Sequence, residues 1–284
     1  MVLRSDLAVE WDVSGDCKGV SLYAENRGDV HLTRVCITSD TAAEQLQRPI
    51  GTYLTAEFPP LTDAEADYGR YTELLAEQLT ELLPSSSPVL VAGIGNRRIT
   101  PDALGPLAAD MVLATRHIDA EFSRSCGLED LRPTAVVVPG VLGQTGIESS
   151  EILRALCQTI RPGAVVVIDA LAARLASRIG CTVQINDTGI SPGSGVGNHR
   201  HAINKDTLGV PVVAIGVPTV VNAATLVREF SDAEDIDNAC RSMVVTPREI
   251  DILVQRASRL VAYSINRVLQ PDYEPGELAA IANS

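Results

Sequence analysis

Residues Val89–Pro106 read VLVAGIGNRRITPDALGP, and the order of residue types within them sets the fold. Val89–Ile94 is an unbroken apolar run of the kind that forms a strand covered on both faces. Gly95-Asn96 breaks the run, Arg97-Arg98 make a basic loop, and Thr100-Pro101-Asp102-Ala103 restart the chain as a helix. Thr suits an N-cap and Pro suits the first helical position; the helix is expected to reach about Arg116. Asp102 therefore falls in the first turn of a helix, just past the carboxyl end of a strand. Open α/β sheets build their sites at that edge. The Asp102 carboxylate has two readings here: an acid placed against the helix dipole, or a catalytic group held on a rigid strand–loop–helix junction.

Downstream, Ala135–Pro139, Ala164–Ile168 and Val210–Ile215 are further apolar runs that read as buried strands. Between them, Ile147–Ile160 reads as a helix with Ile152, Leu153, Leu156 and Ile160 on one face. Gly140–Gly146 is a glycine-rich turn, Thr182–Ile185 a candidate strand at the sheet edge, and Asn222–Phe230 a helix. The last long helix is predicted to open on a capping box, Thr246-Pro247-Arg248-Glu249, and to stop before Pro271. Upstream, Ala64–Leu83 carries Tyr71, Leu74, Leu75, Leu79 and Leu82 at helical spacing. Gly19–Ala24, His31–Thr38 and Gly51–Phe58 mix polar with β-branched residues, as half-exposed antiparallel strands do. The fold class is α/β: a mostly parallel sheet flanked by helices, with an antiparallel β extension or subdomain over residues 7–60.

The chain has 284 residues, room for one large domain or two modest ones. Lys and Arg number 23 against 36 Asp and Glu, a net charge of −13, which argues against direct nucleic-acid binding. No apolar run is long enough for a membrane span, and MVLRSDLAVE has no hydrophobic signal core, so a cytoplasmic location is expected. The six cysteines form no CxxC pair and the four histidines no HExxH pattern, so no metal site is expected. His199 and His201 flank Arg200 as either ligands or a solvated loop pair.

Asp169 closes the apolar run Val166-Val167-Ile168 and would lie at the same edge as Asp102. Two carboxylates that meet there would share a proton, because like charges close together cannot both ionise cheaply. The neutral one would polarise a carbonyl while the ionised one takes a proton from water. An alternative for Asp169 is an N-cap, or a salt bridge to Arg174 or Arg178, and spacing alone slightly favours that alternative. Gly93-Ile94-Gly95 lacks the third glycine of a nucleotide loop. Gly189–Asn198 is a flexible loop suited to covering a site, and Ser194 in it lacks the strand–helix elbow of a serine hydrolase.

The stretches GNRRITPDALGP, VPGVLGQTGIES, VVVIDALAAR, GSGVGNHR, TLGVPVVAIGVPTVV, MVVTPREID and RSDLAVE together resemble the germination proteases of spore-forming bacteria, over nearly the whole chain. The core is similar to that of hydrogenase maturation proteases, whose GxGN…D pattern is echoed by Gly93, Gly95, Asn96 and Asp102. The resemblance implies an aspartic-type endopeptidase that degrades small acid-soluble spore proteins at germination, needs no cofactor, and works as a homotetramer in the spore core. The family's carboxylate pair maps onto Asp102 and Asp169. The family's zymogen loses a propeptide just before LAVE, which here puts the cut between Asp6 and Leu7, with 1–6 as propeptide and 7–284 as one protease domain. Family cleavage sites in spore proteins follow glutamate, so Asn96, Arg97 and Arg98 are candidate substrate-binding residues. Two departures are the short pro-segment and Asn222, where an aspartate is expected. Two other readings stay open: a metal-assisted maturation-type protease, and a non-catalytic nucleotide- or anion-binding module on a Rossmann-like sheet.

Overall fold

The computed structural model describes residues 5–11, 18–118, 121, 131–193, 200–231, 240 and 243–273. Among them nine strands make one mixed sheet: β1 Val20–Arg27, β2 Val30–Ile37, β3 Gly51–Glu57, β4 Val89–Gly93, β5 Thr134–Val137, β6 Ala164–Ala173, β7 Thr182–Asn186, β8 Val212–Asn222 and β9 Val244–Val245. The lateral order is β1-β2-β3-β7-β8-β6-β4-β5, with β9 beside β8. One half, β8-β6-β4-β5, is parallel. The other, β1-β2-β3-β7, is antiparallel, and β7 joins β8 antiparallel. The N-terminal strands therefore continue the same sheet.

The apolar runs do what their composition demands. Successive side chains on a strand point to opposite faces, so Val89 and Val91 join one core while Leu90 and Ala92 join the other. On the first face the Tyr68–Leu82 and Ile250–Leu269 helices pack with Leu75, Leu79, Leu253, Leu260 and Ile265. On the second, the Ser149–Ile160 helix brings Leu153 and Cys157 against Val165 and Val167. Among the described residues no helix is long and apolar enough to cross a membrane.

Several boundaries differ from expectation. Thr182–Asn186 lies inside the sheet, between β3 and β8, because its polar positions Thr182, Gln184 and Asn186 are buried rather than solvent-facing. The helix after Asp102 is a single 3-10 turn, Thr100–Asp102, followed by a short helix, Leu104–Ala109, rather than a run to Arg116. The chain leaves it to pair elsewhere: Leu113 N–H donates to Asn266 Oδ1 at 2.9 Å and Thr115 N–H to the Thr134 carbonyl. β6 does not stop at Asp169, and β8 runs on through Gly216-Val217-Pro218, since the two strands keep pairing to Ala173 and Val221 across a bulge at Leu171/Ala172. The last helix starts at Ile250, with no side-chain cap from Thr246. A helix that the patterns above do not predict, Asp40–Leu46, is capped by Ser39, whose Oγ accepts from Ala42 N–H. His199, residues 194–198 of the loop 189–198 with Ser194 among them, the acidic stretch after Ser231, and the tail beyond Tyr273 lie outside the described residues.

Candidate active site

The site begins where β4 ends. Gly93 pairs with Ile168, so Asp169 stands one residue beyond the end of β4 while still inside β6. Ile94 N–H donates to the Ile168 carbonyl at 2.8 Å, and the chain then turns at Gly95 with φ 126°. A Cβ at Gly95 would sit 2.0 Å from the Asp102 carbonyl oxygen, so only glycine lets the Asp102 turn close this tightly. One residue on, Asn96 N–H donates to Asp102 Oδ2 at 2.8 Å. The Asn96 side chain accepts from Arg98 N–H and from Gln144 Nε2, tying the loop to a short helix, Leu142–Thr145, where the sequence suggested a turn. Thr219 Oγ donates to the Pro101 carbonyl, which fixes the 3-10 turn against β8. Gly105 lets the following helix approach: its missing Cβ would lie 2.2 Å from the Ile94 carbonyl oxygen.

Asp102 and Asp169 both line a cleft of about 610 Å³, together with Asp6, Gln184, Arg48 and Arg200. Asp169 is 6% exposed and accepts one hydrogen bond, from Ala170 N–H at 2.9 Å. Burial first, then the negative charge of Asp102 and of Asp6, hold its carboxyl well above the usual carboxylate range. Asp102 is also raised by burial, but the Asn96 N–H and the Arg200 guanidinium oppose the shift. The cleft thus contains two coupled carboxyls in unequal environments, the arrangement that separates an acid from a base. Arg174 and Arg178 do not serve Asp169: Arg178 pairs with Glu10 and Glu57, and Arg174 N–H donates to Glu10.

The N-terminal segment enters this cleft. Asp6 N–H donates to the Ala172 carbonyl at 3.0 Å, and Ala172 N–H returns a bond to Asp6 Oδ2 at 2.9 Å. Leu7 is fully buried against Leu171 and Ala173. Glu10, also buried, accepts from the N–H groups of Arg174 and Leu175 and from Ser5 Oγ, which anchors the segment on both sides of the Asp6–Leu7 bond.

Of the candidate basic residues, neither Arg97 nor Arg98 lines the cleft. Arg97, in the loop, is turned to the end of the Leu104–Ala109 helix, where both terminal nitrogens meet Asp110, at 2.7 Å for Nη2. Arg200 lines the cleft instead, and its Nη1 is buried with no hydrogen-bond partner among the described residues. Arg200, Arg48 and Gln184 are among the cleft residues that sequence patterns miss. The one signal was Gln184 interrupting an otherwise β-branched run at Thr182–Ile185. Among the described residues no group of three or more His, Cys, Asp and Glu side chains gathers as a metal site would require.

The sequence profile described as germination protease matches residues 3–237. The germination protease of Clostridium acetobutylicum is 38% identical, with 99% of each chain covered. That of Bacillus subtilis is also 38% identical, over 81% of this chain and 66% of its own length. Among solved structures, a NiFe hydrogenase maturation protease from Thermococcus kodakarensis is 20% identical over 68% of this chain and 98% of its own, with a TM-score of 0.39. With a profile match over most of its length and relatives of this identity along the whole of it, the chain belongs to the germination protease family.

Proposed function

We propose that this protease of the germination family is an acid-pair endopeptidase that cuts small acid-soluble spore proteins after an acidic residue. It is made as a zymogen that removes residues 1–6 itself, and it works as a homotetramer in the spore core without a cofactor. The observation that carries the reading is the unequal pair: a buried Asp169 whose carboxyl is held well above the usual carboxylate range, and a less perturbed Asp102, in one cleft with Asp6.

In the proposed reaction Asp102, ionised, takes a proton from water, and the hydroxide oxygen bonds to the scissile carbonyl carbon. Asp169, neutral, gives its proton to the carbonyl oxygen. In the second half the C–N bond breaks. The proton on Asp102 passes to the leaving amine and the one on oxygen returns to Asp169, so the pair ends as it began. Asn96 supports the base by donating to Asp102 Oδ2 through its N–H. Arg200, which lines the cleft and whose buried Nη1 has no hydrogen-bond partner among the described residues, is the cation that would meet an acidic side chain before the cut. Arg97, held by Asp110, is not.

Intact-mass analysis over time tests this directly. The full chain is incubated alone and with a small acid-soluble spore protein, beside Asp102→Asn and Asp169→Asn, with and without chelator. Loss of residues 1–6 and cleavage after acidic residues, chelator-resistant and absent in both variants, is the expected result. Near-normal activity in either variant would sink the acid pair, and chelator-sensitive cleavage would replace it with a metal-assisted reaction.

A further inference from the structure

Among the described residues, Gln184 is the one side chain that hydrogen-bonds the backbone on both sides of the Asp6–Leu7 bond. Its Nε2–H donates to the Asp6 carbonyl oxygen at 2.8 Å, and its Oε1 accepts from Ala8 N–H at 2.6 Å. These partners settle the orientation of the amide, since a carbonyl needs a donor and an N–H needs an acceptor. Gln184 is 4% exposed and sits inside β7, so the group is held on a rigid element.

Its position relative to Asp169 follows from register. Gln184 pairs with Gly216 of β8, and Gly216 pairs with Asp169 of β6. Residues directly opposite on neighbouring strands point to the same face. The carboxamide and the carboxyl therefore rise from one face of the sheet, two strands apart, or about 9–10 Å between their backbones. The residue between them is a glycine. A side chain at Gly216 would meet Leu171 at 2.7 Å and would stand in the space that separates the two groups.

We propose that Gln184 is a further catalytic residue: its carboxamide holds the scissile carbonyl oxygen and the N–H of the second residue after the cut, and stabilises the oxygen as it gains negative charge. The inference rests on the reading that Asp6–Leu7 is a bond this enzyme cuts. Both contacts are to backbone, so the clamp accepts any extended chain, and residue preference has to come from other cleft groups such as Arg200. A neutral N–H aimed at a developing oxyanion is worth more in the transition state than in the bound substrate. Asp169 supplies the proton from beside it, and no further reactant is needed.

The test uses a synthetic peptide of residues 2–11, VLRSDLAVEW, together with self-processing of the full chain, for wild type, Q184E, Q184A and D169N. Q184E keeps the shape and the acceptor for Ala8 N–H but loses the donor when the introduced carboxyl is ionised. We expect kcat of both Gln184 variants, measured below their thermal midpoints, to fall about 10²–10³-fold, with KM changed much less. Q184E should regain part of its kcat relative to wild type as the pH falls and its carboxyl becomes a donor, whereas Q184A should not. Should D169N be inactive while Q184A keeps its kcat within about threefold, or lose only in KM, Gln184 is a docking residue and the acid pair stands. Absence of any cut between Asp6 and Leu7 in the wild type would remove both the clamp and its scissile bond, and an active D169N would remove the acid pair as well.

Discussion

Burial keeps Asp169 neutral at pH values where an exposed aspartate is ionised, and this links the site to the stability of the whole chain. The unfolded chain releases this proton near pH 4, while the folded chain keeps it until its own raised value is reached. In the window between, the folded state binds more protons, so stability falls as the pH rises. Asp169→Asn should therefore stabilise the protein at neutral pH by about 1 kcal/mol or more, roughly 2–4 °C in a chain of this size. The gain should vanish below about pH 4, where both states of the wild type are protonated; thermal melts across pH read it. A variant that loses activity and gains no stability at pH 7 would mean that Asp169 is ionised in the fold. The same pair should give kcat/KM a bell-shaped pH profile, with Asp102 setting the acid limb and Asp169 the alkaline one. Arg200 favours the charged form of both carboxyls. Arg200→Gln should then move both limbs to higher pH, besides weakening cleavage after glutamate relative to glutamine. Unmoved limbs would place the guanidinium away from the pair.

Two short elements shape the cleft, one holding Asp102 and one the N-terminal segment, and each has a position where a small change has a large effect. The loop between β4 and the Thr100–Asp102 turn closes only because Gly95 has a positive φ and no Cβ. Gly95→Ala should cost about 1–3 kcal/mol through backbone strain, and should reduce kcat more than that loss predicts, because the clash falls on Asp102 itself. Denaturant unfolding beside turnover separates the two effects. The 3-10 turn Ala8–Glu10 is held by a buried carboxylate that serves two backbone N–H groups and Arg178. Glu10→Ala leaves the two N–H groups unmatched, while Arg178 keeps Glu57; it should cost about 1–3 kcal/mol, and limited proteolysis should then cut near the N-terminus first. The loop was legible in advance, since an apolar run, a Gly-Asn break and a Thr-Pro-Asp start each have a local physical cause. The length of β6 was not. Asp169 looks like a strand end in Val166–Leu171, and only its pairing with β8 carries the strand on to Ala173. Helix length failed at Ala109 for a similar reason, because Asn266, distant in sequence, captures the backbone of Leu113.

At the scale of the molecule, the alternation of apolar strands and helices indicated a sheet covered on both faces, and the two carboxylates could be named from strand-edge position and family resemblance. What no local pattern reveals is which distant residues join them. Asp6 and Gln184 lie 178 positions apart and meet only because β7 inserts between β3 and β8. Arg97 and Arg98 stand beside Asp102 in sequence, yet Arg97 turns away to Asp110 and Arg200 takes the cleft. Proximity along the chain was a poor guide to charge in the site, because side-chain direction is decided by the packing of the loop. The docking of Asp6 in the chain's own cleft also has a kinetic consequence. A bond already seated beside the acid pair is presented at a fixed effective concentration, whatever the amount of protein in solution. Removal of the first six residues should therefore be first order, with a half-life unchanged on hundredfold dilution. Cleavage of an added spore protein should slow in proportion, and should begin only as the tethered occupant leaves. The enzyme would then be timed by a clock internal to each molecule and insensitive to its neighbours.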